Sequence, residues 1–151
     1  MSGRRGGGKS LSWAVKFENR GLWTRNAVAG TSVYGETRRK FSGSEYRRWD
    51  AHRSKLAAGM LLTNNDPSIL LPEAGTQILY LGAGHGTTVS HLHDHLCGKD
   101  NERGGRLVAI DIAPAALWAF SLPAPSANGP PPLLCHPPKL PTSAASTYVP
   151  A

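Results

Sequence analysis

The apolar positions change their pattern along the chain. From Gln77 to Asp111, short continuous apolar runs flank a stripe at helical spacing. Ile78-Leu79-Tyr80-Leu81 is a run of the kind buried on both faces of a parallel sheet. Gly82-Ala83-Gly84-His85-Gly86 interrupts it, and Val89, Leu92 and Leu96 then recur as on the packed side of a helix beginning near Thr87. Leu107-Val108-Ala109-Ile110 is a second strand-like run. This order predicts a βαβ unit. Upstream, Ser54 to Leu62 is rich in Ala and Leu and predicts a short helix, with Asp50 or Ser54 near its start and Asn64-Asn65-Asp66-Pro67 ending it.

Residues 11–50 are patterned differently, as short apolar or aromatic pieces between glycines. Ala14-Val15-Lys16-Phe17, Leu22-Trp23-Thr24 and Ser32-Val33-Tyr34 each predict a strand, punctuated by Gly21, Gly30, Gly35 and Gly43. The expectation is a small antiparallel β-region. Met1 to Ser10 is a Gly/Arg-rich arm expected to be flexible. After Asp111 the only charged side chain is Lys139, and nine of the twelve prolines lie from Pro123 onward. Such a stretch lacks either periodicity and buries too little apolar surface to offset chain entropy. Residues 115–151 are therefore expected to be a disordered Pro/Ala/Ser-rich tail.

Charge adds a partner class. The net charge is +7, concentrated in the first half between Arg4 and Lys55. This excess favours polyanions, and the interleaved Trp23, Tyr34, Tyr46 and Trp49 offer stacking surfaces; a solvated basic face explains the charge equally well. Cys97 and Cys135 form no disulfide framework, which fits a reducing compartment. No apolar run approaches membrane-spanning length and no signal-peptide core is present, so an intracellular protein without a membrane segment is expected.

Three motifs compete for chemistry. Gly3-Arg4-Arg5-Gly6-Gly7-Gly8-Lys9-Ser10 matches a phosphate-binding loop by letter, but only Met1 and Ser2 precede it, so no strand can hold it. His91 and His95 share one helical face as a metal pair would, yet no third ligand follows at that spacing. A solvated or half-buried polar edge is the expectation, and no metal is assigned. The glycine loop is stronger. Its glycines permit a sharp turn and close backbone approach, Thr87 and Thr88 open a helix whose free amides attract an anion, and Asp111 ends the second strand where it can accept ribose hydroxyls. A nicotinamide dinucleotide and S-adenosylmethionine both suit this geometry. The third glycine comes one residue early for a pyrophosphate, which tilts the choice toward the latter.

Several segments together resemble fibrillarin, the ribosomal-RNA 2′-O-methyltransferase family of archaea and eukaryotes. These are Trp23 to Glu36, Glu45 to Asp50, Arg53 to Ala58, and Leu79-Tyr80-Leu81-Gly82-Ala83 continuing through Gly86-Thr87-Thr88-Val89-Ser90-His91. The resemblance runs from about Leu22 to Pro114. It implies an α/β fold: a small N-terminal antiparallel β-region over 11–50, then an incomplete Rossmann-like S-adenosylmethionine-dependent methyltransferase domain over 51–114. It implies cofactor binding by Gly82, Ala83, Gly84, Gly86, Thr87, Thr88, Asp111 and Ile112. It gives Lys55 a catalytic role, orienting or helping to deprotonate the ribose 2′-hydroxyl. Gly84 and Asp111 depart from the family's usual Ala or Ser and Glu.

The family continues beyond Ile112-Ala113-Pro114 with an arginine-bearing helix and further strands. The chain is accordingly expected to be truncated and weakly active or inactive. The implied setting is a box C/D guide-RNA particle containing guide RNA, target rRNA or tRNA, a scaffold subunit and a kink-turn-binding protein. The implied location is cytoplasmic in an archaeon and nucleolar in a eukaryote. The competing expectations are a non-enzymatic basic RNA- or particle-binding fragment and a dinucleotide-binding fragment.

Overall fold

The computed structural model describes residues 8–111. Its first half is a five-stranded antiparallel sheet built from β1 (Lys9–Ser10), β2 (Val15–Glu18), β3 (Gly21–Arg25), β4 (Arg38–Phe41) and β5 (Ser44–Trp49), in the order β1-β2-β3-β5-β4. Two hairpins turn on paired left-handed residues: Asn19 and Arg20 at φ 50° and 57°, and Ser42 and Gly43 at φ 48° and 82°. Such turns twist in the same sense as the strands they join.

The strands differ from expectation in three places. Ser32-Val33-Tyr34 is not a strand, because the Glu36 carboxylate accepts the amides of Val33 (3.1 and 3.2 Å) and Tyr34 (2.8 Å). Those donors are spent locally and cannot enter a ladder. The β4–β5 hairpin, in contrast, was not foreseen. Its signal was Ser42-Gly43 between residues of alternating character. Finally, Lys9 and Ser10 do not belong to a free arm but pair with Phe17 and Lys16. The Lys-Ser of the apparent phosphate-binding loop thus lies on an edge strand.

The second half contains α1 (Lys55–Leu62), β6 (Gln77–Leu81), α2 (Thr87–Cys97) and β7 (Arg106–Ile110). Strands β6 and β7 pair in parallel, from Gln77 with Arg106 to Leu81 with Ile110, and α2 makes the crossover. One core runs through the molecule: Val15, Leu22 and Trp49 from the first sheet, Val89, Leu92 and Leu96 from α2, Leu107 and Ala109 from β7. Each fully buried leucine contributes about 1.5–3 kcal/mol. At the entry to β7, a Cβ on Gly105 would overlap the Leu96 carbonyl, so glycine lets the strand close against the end of α2.

Strand β6 is not covered on both faces. Leu79 and Leu81 are 59% and 71% exposed, since among the described residues α2 packs on one side only.

The helix α2 is buried except at His93, which is partly exposed. Its apolar stripe meets β7, and its polar side meets the first sheet. Arg47 of β5 reaches both Glu36 and Asp94, giving Nε and Nη2 to Asp94 Oδ2 at 3.1 and 2.8 Å. All three side chains are essentially out of solvent. This clamp and the core beneath it hold α2 against the first sheet.

Candidate functional site

Helices α1 and α2 begin side by side. Ser54 caps α1, its hydroxyl accepting the Ala57 amide at 3.2 Å, and the Thr88 hydroxyl donates to the same oxygen at 2.9 Å. Both residues are buried. A single pair of hydroxyls therefore ties two helix N-termini together, and each presents partial positive charge and free amides. Lys55 follows Ser54 as the first residue of α1. Capping thus sets where its side chain starts.

The loop between β6 and α2 completes a cleft. Gly82, Gly84 and Gly86 have φ 79°, 54° and 79°, the left-handed region that favours glycine. Around Gly82 and Gly84 the space that a Cβ would occupy is open. The amides of Gly82 and Ala83 donate to the Ile110 carbonyl at 2.8 and 3.2 Å, folding the loop over the end of β7. The Gly84 amide donates to Asp111 Oδ2 at 2.6 Å. No side chain caps α2 at Gly86, so its first-turn amides receive no side-chain partner there. The cleft measures about 390 Å³ and is lined by Arg53, Lys55, Tyr80, Gly82, Ala83, Gly84, His85, Thr87 and Thr88. That volume is within the range of small-molecule and cofactor sites.

Of the residues singled out from sequence, Lys55, Gly82, Ala83, Gly84, Thr87 and Thr88 line this cleft. Gly86 starts the helix beside it, and Asp111 sits behind the loop with one oxygen on Gly84. Ile112 lies outside the described residues. Sequence reasoning missed Arg53, Ser54, Tyr80 and His85. Ser54 carried a signal as a helix-capping serine, although its contact with Thr88 did not. Arg53 stacks over Tyr34, 4.9 Å from the ring centre, a loop contact with no local sequence pattern.

The histidines are not a solvated edge. His91 is fully buried, stacked on Trp49 at 4.8 Å and 14°, with Nε2 2.8 Å from the Tyr34 hydroxyl. Because the Tyr34 hydroxyl donates to the Arg48 carbonyl at 2.9 Å, His91 Nε2 must carry the proton that it shares with Tyr34. Burial, with the Arg47 charge adding to it, holds His91 well below the usual histidine range. His95 is also buried, donating from Nε2 to the Pro72 carbonyl at 2.8 Å. The polar face was needed inside, where it meets the first sheet. Among the described residues no three His, Cys, Asp or Glu side chains converge as a metal site.

The aromatic residues also differ from expectation. Trp49 lies in the core, and Trp23 is 2% exposed beneath arginine side chains, so neither offers a bare ring to a base.

Comparison with known proteins places this architecture. The chain is similar to the fibrillarin-like rRNA/tRNA 2′-O-methyltransferase of Saccharolobus islandicus, 43% identical over 93 residues, covering 62% of this chain and 37% of that protein. With the enzyme of the same description from Pyrobaculum aerophilum it shares 39% over 110 residues, covering 72% and 43%. The crystal structure of Aeropyrum pernix fibrillarin with natively bound S-adenosyl-L-methionine superimposes with a TM-score of 0.60 at 35% identity, over 74% of this chain and 47% of that one. The Methanococcus jannaschii fibrillarin pre-rRNA processing protein gives 0.59 at 28% identity, over 75% and 47%. The chain thus spans less than half the length of these relatives. The family model described as fibrillarin matches residues 11–122, starting before Leu22 and continuing past Pro114. With the antiparallel sheet, the βαβ unit and the glycine loop in the same order as in the solved relatives, this chain belongs to the fibrillarin family.

Proposed function

We propose that the cleft binds S-adenosylmethionine and that the chain carries this portion of an RNA ribose 2′-O-methyltransferase site. The observation that supports it best is the convergence, in one cleft of about 390 Å³, of two helix N-termini, an open glycine loop and Lys55. The free amides at the start of α2, with Thr87 and Thr88, would hold the amino-acid carboxylate. The loop backbone at Gly82, Ala83 and Gly84 would pass under the nucleoside, and Asp111, beside Ile112, would meet the ribose once its contact with Gly84 adjusts. The cofactor supplies an electrophilic methyl group when bound. Lys55 would hold the RNA 2′-hydroxyl in line with it and assist loss of its proton.

The proposed substrates are rRNA and tRNA positioned by a guide RNA. The proposed setting is a box C/D particle with its scaffold and kink-turn-binding subunits, inside the cell. No described helix is long and apolar enough to cross a membrane. Of the family's catalytic set, the described residues carry Lys55, so methyl transfer by the 151-residue chain is proposed to be weak or absent. Calorimetric titration of the folded chain with S-adenosylmethionine and its demethylated product tests the site: saturable heat is expected for both. Absence of binding to either would refute it. Labelled-methyl transfer to guide-directed RNA tests the activity, and robust turnover would overturn the claim of weakness.

A further inference from the structure

The outer face of the N-terminal sheet carries cations held near aromatic rings. Side chains alternate between the faces of a sheet. Val15, Leu22 and Trp49 belong to the core, so the register sends Lys16, Trp23, Arg39, Tyr46 and Arg48 to the opposite face. There the guanidinium carbons of Arg39 and Arg48 lie 5.6 and 5.5 Å from the centre of the Trp23 indole. Lys16 Nζ sits 3.6 Å from the centre of the Phe41 ring and 4.3 Å from that of Tyr46.

The Arg48 guanidinium lies across Gly21, within 2.6–2.9 Å of where a Cβ would stand, and Gly21 is not among the positive-φ glycines. Lys16 is partly balanced by Glu18 at 3.1 Å, whereas no described carboxylate pairs with Arg39 or Arg48. A guanidinium stacked on a ring keeps its N–H edges directed outward in a fixed fork, which matches phosphate oxygens. Trp23 is buried beneath these arginines and presents no open ring to a base.

We propose that this face binds the sugar-phosphate backbone of a single-stranded nucleic acid without reading its sequence, with Arg39 and Arg48 on phosphates and Lys16 beside them. The inference does not depend on what occupies the cleft, and the test leaves the cofactor out. Binding of labelled poly-U RNA and of poly-dT to the full chain is followed by fluorescence anisotropy across a series of salt concentrations. Each lost phosphate contact on a single strand lowers the slope of log K against log salt by about 0.7. Arg39→Gln with Arg48→Gln is expected to lower it by about 1.4 for both polymers, while Lys99→Gln with Arg106→Gln, exposed cations elsewhere, leaves it unchanged. Circular dichroism confirms that each variant folds. Equal losses for the two double variants, or an unaltered slope for Arg39→Gln with Arg48→Gln, would overturn the proposal. Loss with RNA alone would support the site and assign it to RNA.

Discussion

Replacing Arg47 with methionine tests how the first sheet is held to α2. The guanidinium is 1% exposed and stands between Glu36, 1% exposed, and Asp94, 10% exposed. Methionine fills much of the same volume but leaves two carboxylates facing each other away from water. Removing one partner of a buried ionic group costs about 3–5 kcal/mol, because the remaining charge is uncompensated. Against a total of about 5–15 kcal/mol for an ordinary domain, that is a large fraction. The variant's response to pH distinguishes charge from packing. In the native chain burial pushes the Glu36 carboxyl up, but hydrogen bonds from Arg47 and from the Tyr34 and Val33 amides outweigh it and hold the group below 4.5. Its contribution is therefore present above pH 4.5 and is lost as pH falls through the lower folded value. Without Arg47 the Glu36 carboxyl loses the largest interaction that lowers its pKa, so burial weighs more heavily and the variant loses less stability on acidification than the native chain. Urea unfolding at neutral pH and near pH 5 measures both effects. A deficit of about 3–5 kcal/mol that shrinks on acidification is expected, and adding Glu36→Gln and Asp94→Asn should recover most of it. A deficit below about 1 kcal/mol, or one independent of pH, would refute the reasoning.

Other outcomes follow from single contacts. Gly82→Ala places a side chain at φ 79°, in the open space of the cleft, and is expected to cost about 1–2 kcal/mol in denaturant unfolding while weakening calorimetric binding of S-adenosylmethionine. Thr88→Val removes the hydroxyl bridge to Ser54 and should cost about 1–3 kcal/mol by leaving a buried hydroxyl under-satisfied; cofactor affinity should fall with it. Gly105→Ala sets a Cβ against the Leu96 carbonyl and should lower the thermal midpoint more than Gly59→Ala, whose Cβ meets only the Leu70 side chain at 3.5 Å. For His91, whose folded pKa is depressed, stability is complete above pH 6.5 and declines as pH falls below it, since the unfolded chain then binds the extra proton. Thermal scans of His91→Gln should show a flatter decline over the same range.

Local chemistry decided much that was legible in the sequence. The βαβ order, the helix starting at Thr87, the serine cap of α1 and the glycine loop all rest on neighbours within a few residues, where periodicity and backbone freedom act directly. The same holds for the family resemblance, which depends on short linear segments. The site lining was legible to that extent: the glycines and both threonines followed from the residue pattern, and Lys55 from the family resemblance. Ser32-Val33-Tyr34 failed as a strand because Glu36, just downstream, captured its amides, a contact that apolar patterning does not register. The three-dimensional arrangement alone settled the fate of polar groups. His91 and His95 look like a wet helix edge until the N-terminal half folds onto α2 and gives His91 Tyr34 and Trp49, while the segment before β6 gives His95 the Pro72 carbonyl. Arg47, Glu36 and Asp94 are far apart along the chain, and Thr88 meets Ser54 only across two helices. Burial and pairing of charged or hydrogen-bonding side chains depend on what arrives from a distance, whereas turns, caps and helical stripes are determined by the residues beside them.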